Sequence, residues 1–549
     1  VGALADWLIA LPDAETMRAI DRWAIDERGV AGLDLMERAG AGVARAVEQM
    51  AQDGPVSVFC GKGNNGGDGL VAARLLREAG RDVTVICISP AGEFQGDALR
   101  NLDRLSGPPP VSLAEARPDS RGVIVDALLG TGFEGSARGA AAEAIERINA
   151  SGAPVVSVDV PSGVDASTGV VRGQAVRAHL TVTFHAAKPG LWIRPGKEHA
   201  GRVKVIDIGV PRGAPLAPVA GAGVGRGIDS DGSPEPPRAP IGLISGSVLS
   251  LLPRRGAGST KFTSGHVLVV GGSRDLSGAP RMAAEAAMRA GAGYVTACVP
   301  SSLQGVLQSL GPPEMMVRGV AERDGSLTPE GVAGLLAESD RGGAVALGPG
   351  LGRGDHAFAF ARELTLHVEL PLVLDADGLN AHAGRLDELA ARHHPTVITP
   401  HAGELGRLLE VESAEVERDR LSHVLAAARQ SGAVAVLKGD DTLVAHPDGR
   451  VAVSPGGSPA LATAGSGDVL TGIIAALLSE GLEAFTAAAA AVMLHVIAGR
   501  RAAACQGSAE GVVASDVIAA LPGARDPSAA AVALGERGVI LERRADGSL

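Results

Sequence analysis

From Gly61 to Gly69 the chain reads GKGNNGGDG, a glycine-rich turn holding two asparagines and an aspartate. An apolar run, Val56 to Cys60, precedes it, and a helix-like run, Leu70 to Arg77, follows. Glycines between a strand and a helix let backbone N–H groups approach a phosphate closely. The spacing from Gly61 to Gly66 satisfies the dinucleotide fingerprint G-x-G-x-x-G. The next strand, Val83 to Ile88, ends in Ser89, where a dinucleotide site needs a carboxylate for the ribose. No Gly-Lys-Ser/Thr closes the turn, so it is not a P-loop. What remains is a phosphate-sized turn carrying Asn64, Asn65 and Asp68. A turn that binds nothing is the competing reading, and so many glycines argue against it.

Two further loops carry carboxylates. Asp126 to Gly132 follows the apolar run Val123 to Val125, and Asp159 to Asp165 follows Val155 to Val158. Each alone could be an Asp capping a turn. In an open parallel sheet, ligands bind outside the carboxyl ends of strands, so Gly61–Gly69, Asp126–Gly139 and Asp159–Asp165 can line one crevice. Arg138 can add a phosphate contact. The oxygens of Asn65, Asp126 and Ser162 suit a hard cation. Asp159 is the candidate proton-transfer group, because burial at a strand end raises a carboxylate's pKa.

The second half holds Ala464-Gly465-Ser466-Gly467-Asp468 before a helix-like run. The backbone amides of Gly465, Ser466 and Gly467 form an anion hole at such a helix start. Asp468 is placed to take a proton from a hydroxyl that attacks a phosphate; the plain alternative is an aspartate capping a helix. Lys438, Gly439, Asp440, Asp441 and Thr442, between two strands, can hold nucleotide phosphates. Gly348–Gly352, Asp375–Asn380 and Thr399–Glu404, with His401, end three more strands.

The elements that must position these groups follow from the pattern. Helical spacing appears over Ala14–Ile25 and Leu33–Met50, then strands alternate with helices. Such alternation means a mostly parallel sheet with helices on both faces. Residues 212–240 are packed with Gly, Pro, Ala and Ser, including Ser233-Pro234-Glu235-Pro236-Pro237, a linker composition. The rhythm restarts at His266–Val270 and ends in Ala-rich helices, Asp468–Glu480 and Ala484–Ala504. After Pro522 order is weak, although Gly538–Glu542 can make a short strand. The reading is α/β in two three-layer domains: 1–211, a Rossmann-like doubly wound sheet; 212–250, a linker; 251–523, a second α/β/α domain; 524–549, a tail.

Composition narrows the classes. The 549 residues are 46% hydrophobic and 2% aromatic, so aliphatic side chains and alanine build the cores. A formal charge of −12 argues against nucleic acid as the main partner. Cys60, Cys87, Cys298 and Cys505 form no C-x-x-C pair and read as reduced thiols. Without an evident secretory signal or uninterrupted apolar span, the expectation is a cytoplasmic, non-membrane protein.

The set GxGNNGGDG, DALLGTGFxGxxRG and DVPSGVD resembles the NAD(P)H-hydrate epimerase domain (the YjeF N-terminal domain) over Leu11 to Pro211, together with Leu35-Met36-Glu37-Arg38-Ala39-Gly40. The second half, with Gly271-Gly272-Ser273 and Ser277-Gly278-Ala279-Pro280, resembles the ribokinase-like NAD(P)H-hydrate dehydratase domain over Leu251 to Pro522. Leu276 stands where that family usually has Tyr, and Gly-Ser-Gly-Asp replaces Gly-Thr-Gly-Asp.

The resemblance implies repair of reduced nicotinamide cofactors hydrated at C6. The first domain would interconvert the R and S epimers, and the second would dehydrate the S form at the expense of ADP or ATP, with ADP expected. In the epimerase, Asn64, Asn65, Gly66, Gly67 and Asp68, with Gly130, Thr131, Gly132, Phe133, Glu134, Gly135 and Ser136, would cradle substrate. Asp159 would handle a proton or orient the hydroxyl, and Asn65, Asp126 and Ser162 would be potassium ligands. In the dehydratase, Ala279, Gly350, His401 and Asp468 would contact the hydrate, Lys438 to Thr442 and Gly467 the nucleotide, with Mg2+ on its phosphates. A homo-oligomer is expected. The rivals are a small-molecule kinase, which would accumulate a phosphorylated acceptor, and a non-catalytic nucleotide-binding scaffold.

Overall fold

Runs such as Val56–Cys60, Val155–Val158 and His266–Val270 are buried along their whole length. A strand covered on both faces is the condition of a parallel sheet flanked by helices. The computed structural model, which describes residues 4–214, 240–339, 343–526, 528 and 540–541, has that architecture twice. The chain divides into two compact units, Ala10–Ile241 with Arg537–Leu549, and Gly2–Ile9 with Gly242–Glu536.

In the first unit eight strands lie in the order Ile540–Leu541, Arg202–Ile206, Leu180–Phe184, Val155–Val158, Val123–Ala127, Val56–Cys60, Val83–Cys87, Val111–Ser112. Their pairings are parallel. From Val56–Cys60 the chain moves outward to Val83–Cys87 and then returns to lay Val123–Ala127 on the other side. That reversal opens a crevice at the carboxyl ends of the strands. The helix Gly32–Met50 buries Leu35, Ala39, Val43 and Val47 in the core beneath it.

The second unit has an eleven-stranded sheet whose centre runs Val434–Leu437, Thr396–Ile398, Leu372–Leu374, Ala344–Leu347, His266–Val270, Tyr294–Pro300, all parallel. Leu443–Ala445 and Val451–Val453 add an antiparallel meander. Ile241–Ile244 and Leu8–Ala10 close that edge.

These edge strands correct the sequence-based boundaries. Ile241–Ile244 is a strand with three buried residues and Gly246–Leu251 a short helix, so 241–250 is folded rather than linker. Residues 4–9, expected in the first domain, belong to the second unit, where the Trp7 ring lies 5.7 Å from that of Phe485. Short edge strands have too few residues to show a period. The linker run Ser233–Pro237 and most of the tail lie outside the described residues, although Ile540–Leu541 falls in the segment expected to form a strand. The helix Ala484–Gln506 is long and apolar enough by length and composition to cross a membrane, but His495, Arg500 and Arg501 interrupt its apolar run and most of it is buried within the fold, as a core helix is.

Candidate active sites

In the first unit the helix begins at Asn64, inside the glycine-rich turn, and runs to Glu78. Asn64 and Asn65 therefore sit in its first turn, where backbone N–H groups lack helical partners, and Asp68 follows one turn on. Several glycines serve close packing: a Cβ on Gly66 would lie 1.8 Å from the Gly61 carbonyl oxygen, and one on Gly69 2.5 Å from Ala127 Cβ. The turn's composition thus has a packing cause as well as a binding one.

Asn64, Asn65 and Asp68 line a cleft of about 770 Å³ together with Gly130, Thr131, Gly132, Phe133, Glu134 and Asp159. Gly66, Gly67, Gly135 and Ser136 do not line it; Gly66 and Gly67 are buried, and the Ser136 hydroxyl donates to the Arg172 carbonyl. Arg138 is exposed and also outside the lining.

Asp159 adopts φ 66°, a left-handed conformation that a side chain seldom takes. Lys188 Nζ donates to its Oδ1 at 2.7 Å, Thr183 Oγ1 to the same atom at 3.2 Å, and the Thr131 amide to Oδ2 at 3.1 Å, with the Thr131 hydroxyl on Oδ2 as well. Burial pushes this carboxyl up, but the Lys188 charge and these donors outweigh it, and its pKa lies below the ordinary value. The expectation of a raised pKa at Asp159 is therefore reversed. The raised carboxyls are its neighbours. Burial, then the charges of Asp159 and Asp21, hold Asp68 well above the carboxylate range. Asp21, also lining the cleft, is raised by burial.

Asp126 lies beneath, 0% exposed. It accepts from Ser162 Oγ at 2.5 Å, the Ser162 amide at 2.9 Å and Ser157 Oγ at 2.8 Å. Burial raises its pKa, and no basic side chain among the described residues pairs with it. Asn65 Nδ2 is buried without a partner, and the amide packs on Gly130, whose Cβ would fall 2.9 Å from Asn65 Oδ1. Amide oxygen and nitrogen are assigned by their partners, so an oxygen can occupy that orphaned position. An unpaired buried carboxylate, a hydroxyl and an amide oxygen fit the chemistry of a monovalent cation.

In the second unit Asp468 lies in the first turn of the helix Ser466–Ser479. Gly465 has φ 86°, and a Cβ there would come within 2.5 Å of Met282 Sδ, so glycine is required. Asp468 is half-buried, and burial, then the charge of Asp375, push its pKa up to about 7. Ser466 Oγ and His495 Nε2 are 3.2 Å apart.

Lys438 is ion-paired, its Nζ 2.8 Å from Asp375 Oδ1 and 3.5 Å from Glu404 Oε2. A Cβ on Gly467 would fall 3.6 Å from that ammonium. Asp441 differs from expectation. Its carboxylate is enclosed with Arg420 Nε at 3.0 Å, both side chains 0% exposed, so it holds a structural ion pair instead of facing a nucleotide. Thr442 Oγ1 donates to the Gly439 carbonyl at 2.7 Å, and Asp440 Oδ1 accepts from the Gly457 amide at 2.9 Å. That segment can still offer backbone amides and the lysine.

Gly350, Leu276 and Ala279 are brought together: with φ 64°, a Cβ on Gly350 would meet the Leu276 carbonyl at 2.4 Å and Ala279 Cβ at 3.2 Å. Leu276 is 47% exposed. His401 caps the helix Ala402–Leu409, its Nδ1 accepting from the Gly403 and Glu404 amides at 3.0 and 3.3 Å. Burial, outweighing Glu404, lowers its pKa, which leaves a neutral ring with an Nε2–H donor.

Lys188, Thr183 and Asp21 in the first unit and Thr471 in the second were missed as site residues. Asp375 and Glu404 were seen only as strand-end loop residues. Lys188 and Asp21 lie outside every glycine motif, and nothing in their spacing signals them.

Each unit is thus an α/β fold with a parallel sheet and glycine-framed carboxylates near the carboxyl ends of its strands, the arrangement of an α/β enzyme with two candidate sites. A family described as NAD(P)H-hydrate dehydratase matches residues 267–522, and one described as YjeF-related protein N-terminus matches residues 32–190. The chain is 40% identical over 527 residues to the bifunctional NAD(P)H-hydrate repair enzyme Nnr of Moorella thermoacetica, covering 93% of this chain and 96% of that one. It is 38% identical to the enzyme of the same name from Salinibacter ruber, covering 93% and 95%. A crystal structure of the ADP/ATP-dependent NAD(P)H-hydrate dehydratase from Bacillus subtilis aligns with 30% identity and a TM-score of 0.44, over 51% of this chain and 96% of that one. The chain belongs to the bifunctional NAD(P)H-hydrate repair enzyme family, with an epimerase domain and a dehydratase domain.

Proposed function

We propose that the first unit equilibrates the R and S hydrates of NADH and NADPH and that the second dehydrates the S form with ADP as co-substrate, giving AMP and phosphate. Asp468 takes the proton of the C6 hydroxyl as that oxygen attacks the terminal phosphorus. The amides of Gly465 and Gly467, with Lys438, offset the charge that develops there, while the Ser466 amide donates to the Thr463 carbonyl at 3.3 Å. The phosphate then departs from C6, pushed by the ring nitrogen lone pair, and loss of a C5 proton restores the dihydropyridine. His401, Ala279 and Gly350 hold the hydrate, and Mg2+ bound to the nucleotide phosphates would offset their charge.

In the epimerase cleft Asp159 stays ionised beside Lys188 and orients the C6 hydroxyl, with Asn64, Asn65, Asp68 and the Gly130–Glu134 loop around the substrate. Asn65, Asp126 and Ser162 would hold potassium, which supplies a fixed positive charge at that end of the cleft.

The observation that supports this reading best is the Asp468 carboxyl at a glycine-framed helix start, with a pKa near 7, where a general base works most effectively at neutral pH. The test is Asp468→Asn, assayed for phosphate release and for return of dihydronicotinamide absorbance. Dehydration should vanish while ADP binding persists. Full turnover by the variant refutes Asp468 as the base, and accumulation of a phosphorylated acceptor by the parent favours a kinase.

A further inference from the structure

Asp375 is 2% exposed at the end of strand Leu372–Leu374, and its two carboxylate oxygens face different elements. Oδ1 accepts from Lys438 Nζ at 2.8 Å, after strand Val434–Leu437. Oδ2 accepts from Thr471 Oγ1 at 2.7 Å. Thr471 is one turn beyond Asp468 on the helix Ser466–Ser479, and its side chain is fully buried. Residues three apart lie on the same helix face, so whatever anchors Thr471 anchors the helix start. The Asp375 backbone is fixed too: a Cβ on Gly348 would fall 1.9 Å from its carbonyl oxygen, and only glycine allows that approach.

We propose that Asp375 is a positioning residue of the dehydratase site: one carboxylate ties the Lys438 ammonium and, through Thr471, the Asp468 helix into a single register at Gly467. A cation for the transferred phosphate and a base for the hydroxyl must be held in fixed relation, because misplacement by about 1 Å can cost on the order of a hundredfold in rate. Lysine has a long flexible stem, so a partner is needed to hold it. Asp375 supplies that partner on one side and Glu404 on the other, at 3.5 Å.

The pair also sets the charge that Asp468 meets. The groups acting on Asp468 are Asp375 and Glu404, which push its proton affinity up, and Lys438, which pulls it down. Lys438 is also felt by His495 and His401. Burial opposes both charges of the Asp375–Lys438 pair, and their mutual attraction wins, leaving aspartate low and lysine high.

The inference rests on the proposed dehydration, and its test separates the two. Asp375→Asn and Thr471→Val are made in the full chain, with Thr471→Ser as the conservative control, and retention of the parent's thermal unfolding transitions, read by circular dichroism, verifies that the second unit of each variant is folded. ADP affinity is read by calorimetry, without turnover, and kcat against pH in the coupled assay. In Asp375→Asn, kcat/KM should fall about tenfold to a hundredfold, ADP should bind more weakly, and the acid limb of kcat should move to lower pH because a negative neighbour of Asp468 is gone. Thr471→Val should lower kcat with little change in ADP affinity, and Thr471→Ser should restore it. Wild-type ADP affinity and an unmoved pH profile in Asp375→Asn, or wild-type kcat in Thr471→Val, overturn the proposal. Should Asp375→Asn fail to fold, the Thr471 pair decides. A parent chain that binds ADP but never dehydrates the hydrate refutes the proposed function instead, and the ADP affinities still report on the clamp.

Discussion

Lys188 is 1% exposed and places its Nζ 2.7 Å from Asp159 Oδ1, so the carboxylate of the epimerase cleft is neutralised from within the protein. The same ammonium also donates to Thr183 Oγ1 at 2.8 Å and the Phe184 carbonyl at 3.0 Å, which satisfies all three of its protons.

Removing one member of a buried pair leaves an uncompensated charge, at a cost of about 3–5 kcal/mol. Lys188→Met should destabilise the first unit by about that amount in urea unfolding at pH 7 and abolish epimerisation. Asp159 has a folded pKa below its ordinary 3.8, so its contribution is present above that pH and lost as the medium becomes more acidic. In Lys188→Met the carboxyl rises instead. The stability gap from wild type should therefore narrow as the pH is lowered through the acid range; a gap that stays constant contradicts the pairing.

Asp468 has the opposite sign. With a folded pKa of about 7, it gives a dehydration rate that climbs with pH to a plateau above about 7. Its raised pKa also means that the unfolded chain releases this proton more readily, so stability is lost as pH rises from about 4 to 7. Asp468→Asn should therefore be more stable than the parent at pH 7.5, by about 1–3 kcal/mol, while inactive. Differential scanning calorimetry at pH 5 and 7.5 checks this: the gain should be clearly larger at the higher pH.

Arg420 and Asp441 make a second test of buried charge. Arg420→Met should cost about 3–5 kcal/mol by stranding Asp441, whereas Arg420→Met with Asp441→Leu should recover much of that loss. If Asp441 instead meets the nucleotide, Asp441→Leu should weaken ADP binding directly, which titration calorimetry would reveal.

Trp7 packs on Phe485 in the second unit, and both are buried. Trp7→Ala should therefore lower the stability of the dehydratase half by about 3–5 kcal/mol, although the residue precedes the whole epimerase segment in sequence. Epimerase rate should be unchanged, and a loss confined to that activity contradicts the assignment of this strand.

Much of this was legible beforehand. Apolar runs such as Val56–Cys60 and Val434–Leu437 declared buried strands, and the glycine–carboxylate motifs marked where they end. What stayed hidden was pairwise. Asp159 appeared as a carboxylate whose pKa burial would raise, because its partner lies 29 residues on, in a segment without a motif. Asp375 and Lys438 are 63 residues apart and meet only because their strands share a sheet. Asp441 looked like part of a phosphate loop because its neighbours are Gly and Thr, while Arg420, which claims it, lies on a helix 21 residues before. Leu8–Ala10 and Ile241–Ile244 escaped notice because short edge strands carry little pattern of their own.

The central claim is that two sites on one chain restore both epimers. Incubation of a mixed-epimer NADPH hydrate with the protein and ADP, followed by absorbance of the restored dihydronicotinamide, tests it most directly. The account predicts recovery of nearly all the input, and recovery of only the S fraction when Asp159→Asn is used. Recovery by the parent that halts at the S fraction, or that proceeds without any nucleotide, contradicts it.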